Sequence, residues 1–272
     1  MREICQSDLP VAPWMAEHTR RLPGLNLLQP GEWLLVDEVY AAQMAYRVEL
    51  IATQRDAVHR LAETARPAAE ELLDLVLENL RAMPEFRVGD ADVVCPDGRI
   101  VAIDRARPLI TCGHLVQEDF NIMQKHGDEH VLTASILCFP ASWSLDEKFM
   151  RNMTSIHLPV GKYDAEIGTR VQRMFDRIQV DRPMWRANFL IYSNPDLFQP
   201  RREAERRKIS AEPPHWVRSE RQCLVKLPKT GAVVFSIHNY VLRLQELRED
   251  QRQSLLTVKG NEMFVAPSRQ GV

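Results

Sequence analysis

The chain has 272 residues, 45% of them hydrophobic, enough to bury a large core in one domain with or without an extension. A formal net charge of −2 excludes the broad basic surface of a nucleic-acid binder. Five widely spaced cysteines (Cys5, Cys95, Cys112, Cys138 and Cys223) include no C-x-x-C pair. They argue against a zinc ribbon, an iron–sulfur site on this chain or a disulfide scaffold, and make a reducing, cytoplasmic compartment the default.

No apolar run approaches the ~20 residues of a membrane span, so no membrane partner is expected. The first residues, Met1 to Trp14, carry acidic groups and prolines in place of the apolar core of a signal peptide. Residues 1 to 36 read as irregular. From Asp37, a candidate N-cap, apolar residues recur at helical steps (Tyr40, Met44, Val48, Ile51, Val58, Leu61), predicting a helix that Pro67 breaks. Leu72, Leu73, Val76, Leu77, Leu80 and Met83 predict a second helix, ended by Pro84. The two together predict an N-terminal helical hairpin.

Val93 to Cys95 and Ile100 to Ile103 read as strands around the turn Pro96-Asp97-Gly98. A short helix is expected over residues 108 to 116. Strands at 120 to 124 and 131 to 139 flank the loop His126-Gly127-Asp128-Glu129. Helices at about 144 to 153 and 164 to 178 follow. Strands at 185 to 192, 216 to 227 and 232 to 243 close the core, the last two joined at Lys229-Thr230-Gly231. The basic run Arg201, Arg202, Arg206, Arg207 and Lys208 is interrupted by Glu203 and Glu205 and reads as a solvated loop or helix.

Strands segregated from helices give an α+β class. Two paired strands, then helices, then three strands is the chain order of a PAS domain. The expected fold is therefore a PAS-like antiparallel five-stranded sheet with helices over one face and a helical hairpin before it. The expected units are 1–92, an irregular segment and hairpin packed on the core; 93–245, a PAS-like ligand-binding core; and 246–272, a C-terminal extension.

Of eight histidines, His18, His59, His126, His130 and His215 read as surface groups, leaving His114, His157 and His238. His157 follows a helix and is stiffened by Pro159, a position suited to a fixed axial ligand of a flat cofactor. On position alone it could equally hydrogen-bond to backbone in a tight loop. Strand alternation places Arg186 with Asn188, Glu220 with Gln222 and Arg218, and His238 with Tyr240. These faces line either a pocket or solvent. The chain has no G-x-S-x-G, P-loop, H-E-x-x-H or G-x-G-x-x-G motif.

One stretch carries a resemblance. Phe139, Pro140, Trp143, Glu147 and Lys148, then Ile156, His157, Pro159, Val160 and Tyr163, follow the pattern FP-x-x-W-x-x-x-EK, IH-x-PV and Tyr. Leu28-Gln29-Pro30-Gly31, Gln117-Glu118-Asp119-Phe120, Trp185-Arg186-Ala187-Asn188-Phe189 and Arg218-Ser219-Glu220-Arg221-Gln222 extend it in order. The sequence resembles the α subunit of the haem-dependent oxidative N-demethylases. Phe149-Met150 stands where that pattern has Ile/Leu-Gly, Gly161 where it has Pro, and His238 where it has a basic or polar residue.

The resemblance implies haem b held by His157, its iron ligand, with Tyr163 and Trp143 beside it. It implies dioxygen and a small secondary amine such as dimethylamine as substrates. It also implies an electron-donating reductase partner carrying flavin and an iron–sulfur cluster. Arg186, Asn188, Glu220, Gln222 and His238 are then the candidate catalytic groups. Glu220 is the best-placed carboxylate for a cationic amine; the alternative is an ion pair with Arg186 or Arg218. A haem-based gas or redox sensor without turnover, and a haem-free structural module, are the competing readings.

Overall fold

A computed structural model describes residues 3–20, 24–157, 165–205 and 215–259, and their side chains except at 18, 157, 165–169 and 259. In chain order the elements are α1 (Glu17–Arg20), β1 (Asn26–Leu27), α2 (Tyr40–Thr53), α3 (Arg55–Val58), β2 (His59–Leu61) and α4 (Arg66–Arg81). Next come β3 (Arg87–Val88), β4 (Asp92–Val94), β5 (Ile100–Ala102), α5 (Pro108–Leu115), β6 (Asp119–His126) and β7 (Glu129–Ile136). Then follow α6 (Leu145–Lys148), α7 (Met153–His157), α8 (Ala165–Arg177), β8 (Met184–Tyr192), β9 (Trp216–Lys226), β10 (Val233–Arg243) and α9 (Glu249–Lys259).

The class is α+β. The main sheet is antiparallel and, among the described residues, seven-stranded, in the order β1-β8-β9-β10-β6-β7-β2. The expected five strands form its contiguous middle, and the expectation of five is corrected by the short edge strands β1 and β2. Gly127 (φ 61°) and Gly231 (φ 69°) give the two hairpins their left-handed turn residue. Glu71 of α4 clamps the second hairpin by accepting from Lys229 N (2.6 Å), Thr230 N (2.8 Å) and Thr230 Oγ1 (2.6 Å). Strands β3, β4 and β5 form a separate small sheet.

The first helix stops at Thr53, well short of Pro67. His59 to Leu61, expected to be helical, instead pair with Ala134 to Ile136 at the edge of β7. Long-range pairing overrides the local period. His59 is half-buried there rather than exposed, and burial pulls its pKa down to about 4, with Arg55 and Arg60 adding to the effect. Pro67 begins α4 instead of breaking a helix, as its missing N–H allows in a first turn. The expected helical hairpin is also corrected: α2 and α4 each pack chiefly on α5. Gly113 of α5 permits that approach, since a Cβ there would lie 2.8 Å from Ile136 Cγ1 and 3.0 Å from Ile51 Cδ1.

Residues directly opposite in neighbouring strands share a face. The back face carries Phe120, Ile122, Cys223, Val225 and Val234 against α2, α4 and α5 in the largest apolar cluster. The front face carries Met123, Leu224, Val233 and Ile237. They pack under Leu145, Met153, Phe175 and Ile178 of the covering segment. The helix expected over 144 to 153 is broken there. Residues 150 to 152 instead run beside β7, through Met150 N to Leu132 O (2.8 Å) and Leu132 N to Arg151 O (3.1 Å). No helix of the described residues is long and apolar enough to cross a membrane.

Candidate functional site

The front face is apolar at one end and polar at the other. Register puts Asn188, Glu220 and Asn239 in one row across β8, β9 and β10, and Arg186, Gln222 and Ile237 in the next. Glu220 is 8% exposed and Gln222 is 7% exposed, so this is no solvent face. Glu220 Oε2 accepts hydrogen bonds from Asn188 Nδ2 (3.2 Å) and Gln222 Nε2 (3.0 Å). The sheet therefore orients the carboxylate through two neutral amides.

Of the two arginines, Arg218 forms the ion pair with Glu220: its Nε stands 3.6 Å from Glu220 Oε1, beyond hydrogen-bond distance. Its guanidinium is instead held by Asn239 Oδ1 (2.8 and 3.1 Å), Leu197 O (3.0 Å) and Phe139 O. Arg186 makes neither a hydrogen bond nor an ion pair with any described residue, and its Nε is buried without a partner. Asn188 Oδ1, Asn121 Nδ2 and Asn239 Nδ2 are likewise buried without partners, all on this face. Buried polar atoms are normally bonded, so four orphans on one face call for an occupant.

The motif around residue 140 builds the cover. Trp143 is partly buried against the front-face apolar cluster. Lys148, 4% exposed, donates through Nζ to Ile156 O (2.8 Å) and pairs with Glu203. Glu147 Oε2 accepts from Glu203 N (2.9 Å). Lys148 thus fixes the backbone just before His157, the last residue of α7. Gln172 bonds His130 through N (3.0 Å) and Nδ1 (2.8 Å), tying α8 to β7. His130, expected at the surface, is 4% exposed because α8 covers it. The His157 side chain, the turn after it and Tyr163 lie outside the described residues.

His238 stands apart from the other candidates. It faces Arg221 and Ala187 on the back of the sheet, one residue out of phase with Asn239 and Glu220. It is 1% exposed and wedged between Glu118 Oε1 (3.0 Å from Nδ1) and Asp37 Oδ2 (3.2 Å from Nε2). Burial disfavours its charge, but hydrogen bonds and charge from Asp37 and Glu118 win and raise its pKa to about 9. Asp37 is correspondingly low: burial pushes it up, and hydrogen bonds from His238, Gln6 and Gln117 overcome that. Asp37 Oδ1 accepts from Val39 N (3.2 Å) at the entry to α2, whose cap position is Val39.

Sequence reasoning missed several buried polar groups. Arg47, fully buried in α2, donates to Asp119 Oδ1 (2.7 Å) and to the carbonyls of Gly113, Gln117 and Glu118. Its place between Met44 and Ile51 on the apolar stripe was the available signal. Asn121 and Asn239 were also missed; both lie within otherwise apolar strands.

An antiparallel sheet with one polar face short of partners beneath an apolar cover is the construction of a small-molecule-binding α+β protein. Residues 24–261 match the family described as haem-dependent oxidative N-demethylase, alpha subunit-like. The chain belongs to that family. Haem-dependent oxidative demethylation is thus the chemistry its family is named for, and the name is that of one subunit of an assembly.

Proposed function

We propose that this protein is the haem-carrying oxygenase subunit of an oxidative N-demethylase acting on a small secondary amine, with dimethylamine the first candidate. The observation that carries the reading is the front face: a carboxylate held by two amides, on a face with four buried polar atoms lacking partners, and a covering segment that ends at His157. The residues present fit a haem. The fit lies at the polar end of the face, where the orphaned atoms supply partners, while Met123, Leu132, Leu224, Val233 and Ile237 are packed beneath the cover and form the apolar wall beside it. We read the five central strands, within residues 93–245, as the PAS-like unit that holds it.

In this reading His157 would hold the iron of haem b, and Trp143 and Tyr163 would help to hold the cofactor. Haem supplies oxygen activation once reduced. The chain's own residues do the rest. Glu220 receives the ammonium of the amine, and Asn188 and Gln222 keep its carboxylate aimed. Releasing the bound proton to Glu220 would free the nitrogen lone pair before its methyl carbon is oxidised. One oxygen atom of dioxygen ends in a hemiaminal, which breaks to methylamine and formaldehyde; the other ends in water, with two electrons and two protons supplied. A reductase partner with flavin and an iron–sulfur cluster would deliver those electrons, and a cytoplasmic setting would keep the five thiols reduced.

The test is spectroscopic and chemical. Purified wild-type protein should show a Soret band that His157→Ala loses or shifts to another ligation state. Reduced protein given oxygen and dimethylamine in a single turnover should yield methylamine and formaldehyde. An unchanged His157→Ala spectrum would remove the ligand assignment. Fully loaded, reduced protein that forms a stable oxygen adduct and leaves every short N-methylamine intact would favour the sensor instead.

A further inference from the structure

Arg186 poses a problem that the amine alone does not solve. It sits on the front face with its Nε buried and no hydrogen bond to any described residue. Glu220 is its diagonal neighbour across β8 and β9, yet the two form no ion pair. Burial works against the arginine's charge, and Glu220 offsets this in part. A simple dialkylamine would satisfy Glu220 and leave Arg186 as it is. A cationic ligand beside this guanidinium also adds like-charge repulsion. What Arg186 lacks is an anionic acceptor, and its planar fork suits a carboxylate.

We propose that Arg186 anchors a carboxylate carried by a ligand in the front-face pocket. This rests on the reading of that face as the haem and amine site, and it sharpens the substrate class. Two sources share the chemistry: the carboxylate of an N-methylated amino acid, or a propionate of the haem. The first is favoured by the geometry of the pair. Diagonal neighbours on a sheet lie about 7–8 Å apart at the backbone, and long side chains can close that gap. A ligand bridging their tips needs its two charges only a few ångströms apart, as in an α-amino acid. Glu220 would take the methylammonium group and Arg186 the carboxylate. Asn188 Oδ1, also without a partner, lies on the same face to accept a further N–H.

The experiment compares wild type with Arg186→Gln and Arg186→Lys. Because Arg186 makes no hydrogen bond to a described residue, both variants should fold, and thermal melting of each checks this. The first arm measures binding of N-methylglycine, dimethylamine and acetate by calorimetry, with and without haem. The expected result is a ten- to hundred-fold weaker Kd for N-methylglycine in Arg186→Gln. Partial recovery is expected in Arg186→Lys, and dimethylamine binding should stay within twofold or tighten. The second arm titrates haem-free protein with haemin and with its dimethyl ester. If the propionate is the source, Arg186→Gln weakens haemin at least tenfold and leaves the ester unchanged.

Either result supports the anchor and names its source. Equal affinities of wild type and both folded variants for N-methylglycine, acetate and haemin would overturn it. Wild-type protein that binds no haemin and no dimethylamine would instead sink the demethylase reading, and the N-methylglycine arm would still decide the fate of Arg186.

Discussion

The two faces of the sheet handle buried polar groups in opposite ways. On the back, charges come in bonded sets. His238 meets Asp37 and Glu118, with Gln6, Gln43 and Gln117 completing the net, and Arg47 of α2 reaches three carbonyls and Asp119, the first residue of β6, which lies opposite Ile237. One acceptor there, Glu118 Oε2, is left over. On the front, Arg186, Asn188, Asn121 and Asn239 each keep a buried atom unbonded. Both faces belong to the same strands and differ by one residue of phase. The lesson is that burial alone does not mark a site. A buried charge with all its partners holds the fold together, whereas one without them awaits a ligand.

The largest expected effect should fall on the bonded sets, at the Arg47 cluster that Asp119 joins from the start of β6. Asp119 accepts from Arg47 Nη1 (2.7 Å), Cys138 N (2.7 Å) and Phe139 N (3.0 Å). Asp119→Ala would strand a fully buried guanidinium and two backbone donors, at a cost of about 3–5 kcal/mol. Urea unfolding checks it. A loss under 1 kcal/mol would erase the contrast between the faces.

The second expected effect is a pH dependence of the back face. His238 is raised from about 6.5 unfolded to about 9 folded. Its contribution is thus fully present below pH 6.5 and is lost as the pH climbs through 9, a decline of about 3 kcal/mol. The groups facing it are Asp37 and Glu118, with Arg221 and Tyr240 nearby on the sheet. His238→Gln should flatten the stability profile between pH 6.5 and 9. A wild-type profile that is already flat there would mean the imidazole is neutral at pH 7.

Much of this was readable beforehand, and unevenly so. The five long strands followed from alternation and from glycines at Gly127 and Gly231, where the backbone requires positive φ. In the motif run from Phe139 to Lys148, the lysine and glutamate fasten the cover. The edge strands β1 and β2 are two and three residues long, too short for a period to declare itself. The phase of His238 against Glu220 depends on register between strands, which no local pattern contains. Arg47 meets Asp119, 72 residues along the chain, and Asp37 meets His238, 201 residues along it, pairings that no local pattern declares.

On the front face the effect should be on binding and not on folding. Glu220→Gln keeps an oxygen for Asn188 Nδ2 and Gln222 Nε2 while removing the charge. Amine affinity should fall ten- to hundred-fold, about 1.5–3 kcal/mol, with haem content unchanged and stability altered by under about 1 kcal/mol. Titration of wild type and variant with dimethylamine measures the first, and urea unfolding the second. A large loss of stability with unchanged amine binding would assign Glu220 to the scaffold and make the two faces alike.

The smallest effect concerns how the cover is hung. Met150 has φ 61°, a left-handed conformation that disfavours any residue with a Cβ, and it stands where the family pattern has glycine. The backbone is held there because Met150 N donates to Leu132 O and Leu132 N to Arg151 O, fixing the chain against β7 between α6 and α7. The side chain itself is 47% exposed, so little packing would be lost with it. Met150→Gly should relieve about 1–2 kcal/mol of backbone strain while adding the greater freedom of glycine to the unfolded chain. The net gain is about 0.5–1 kcal/mol, measurable as a higher urea midpoint. Met150→Val, β-branched at the same φ, should go the other way. If the glycine variant is no more stable than wild type, the turn is not strained. If it is more stable but binds haem less tightly, the left-handed methionine holds the segment bearing His157 in a position that the relaxed turn gives up.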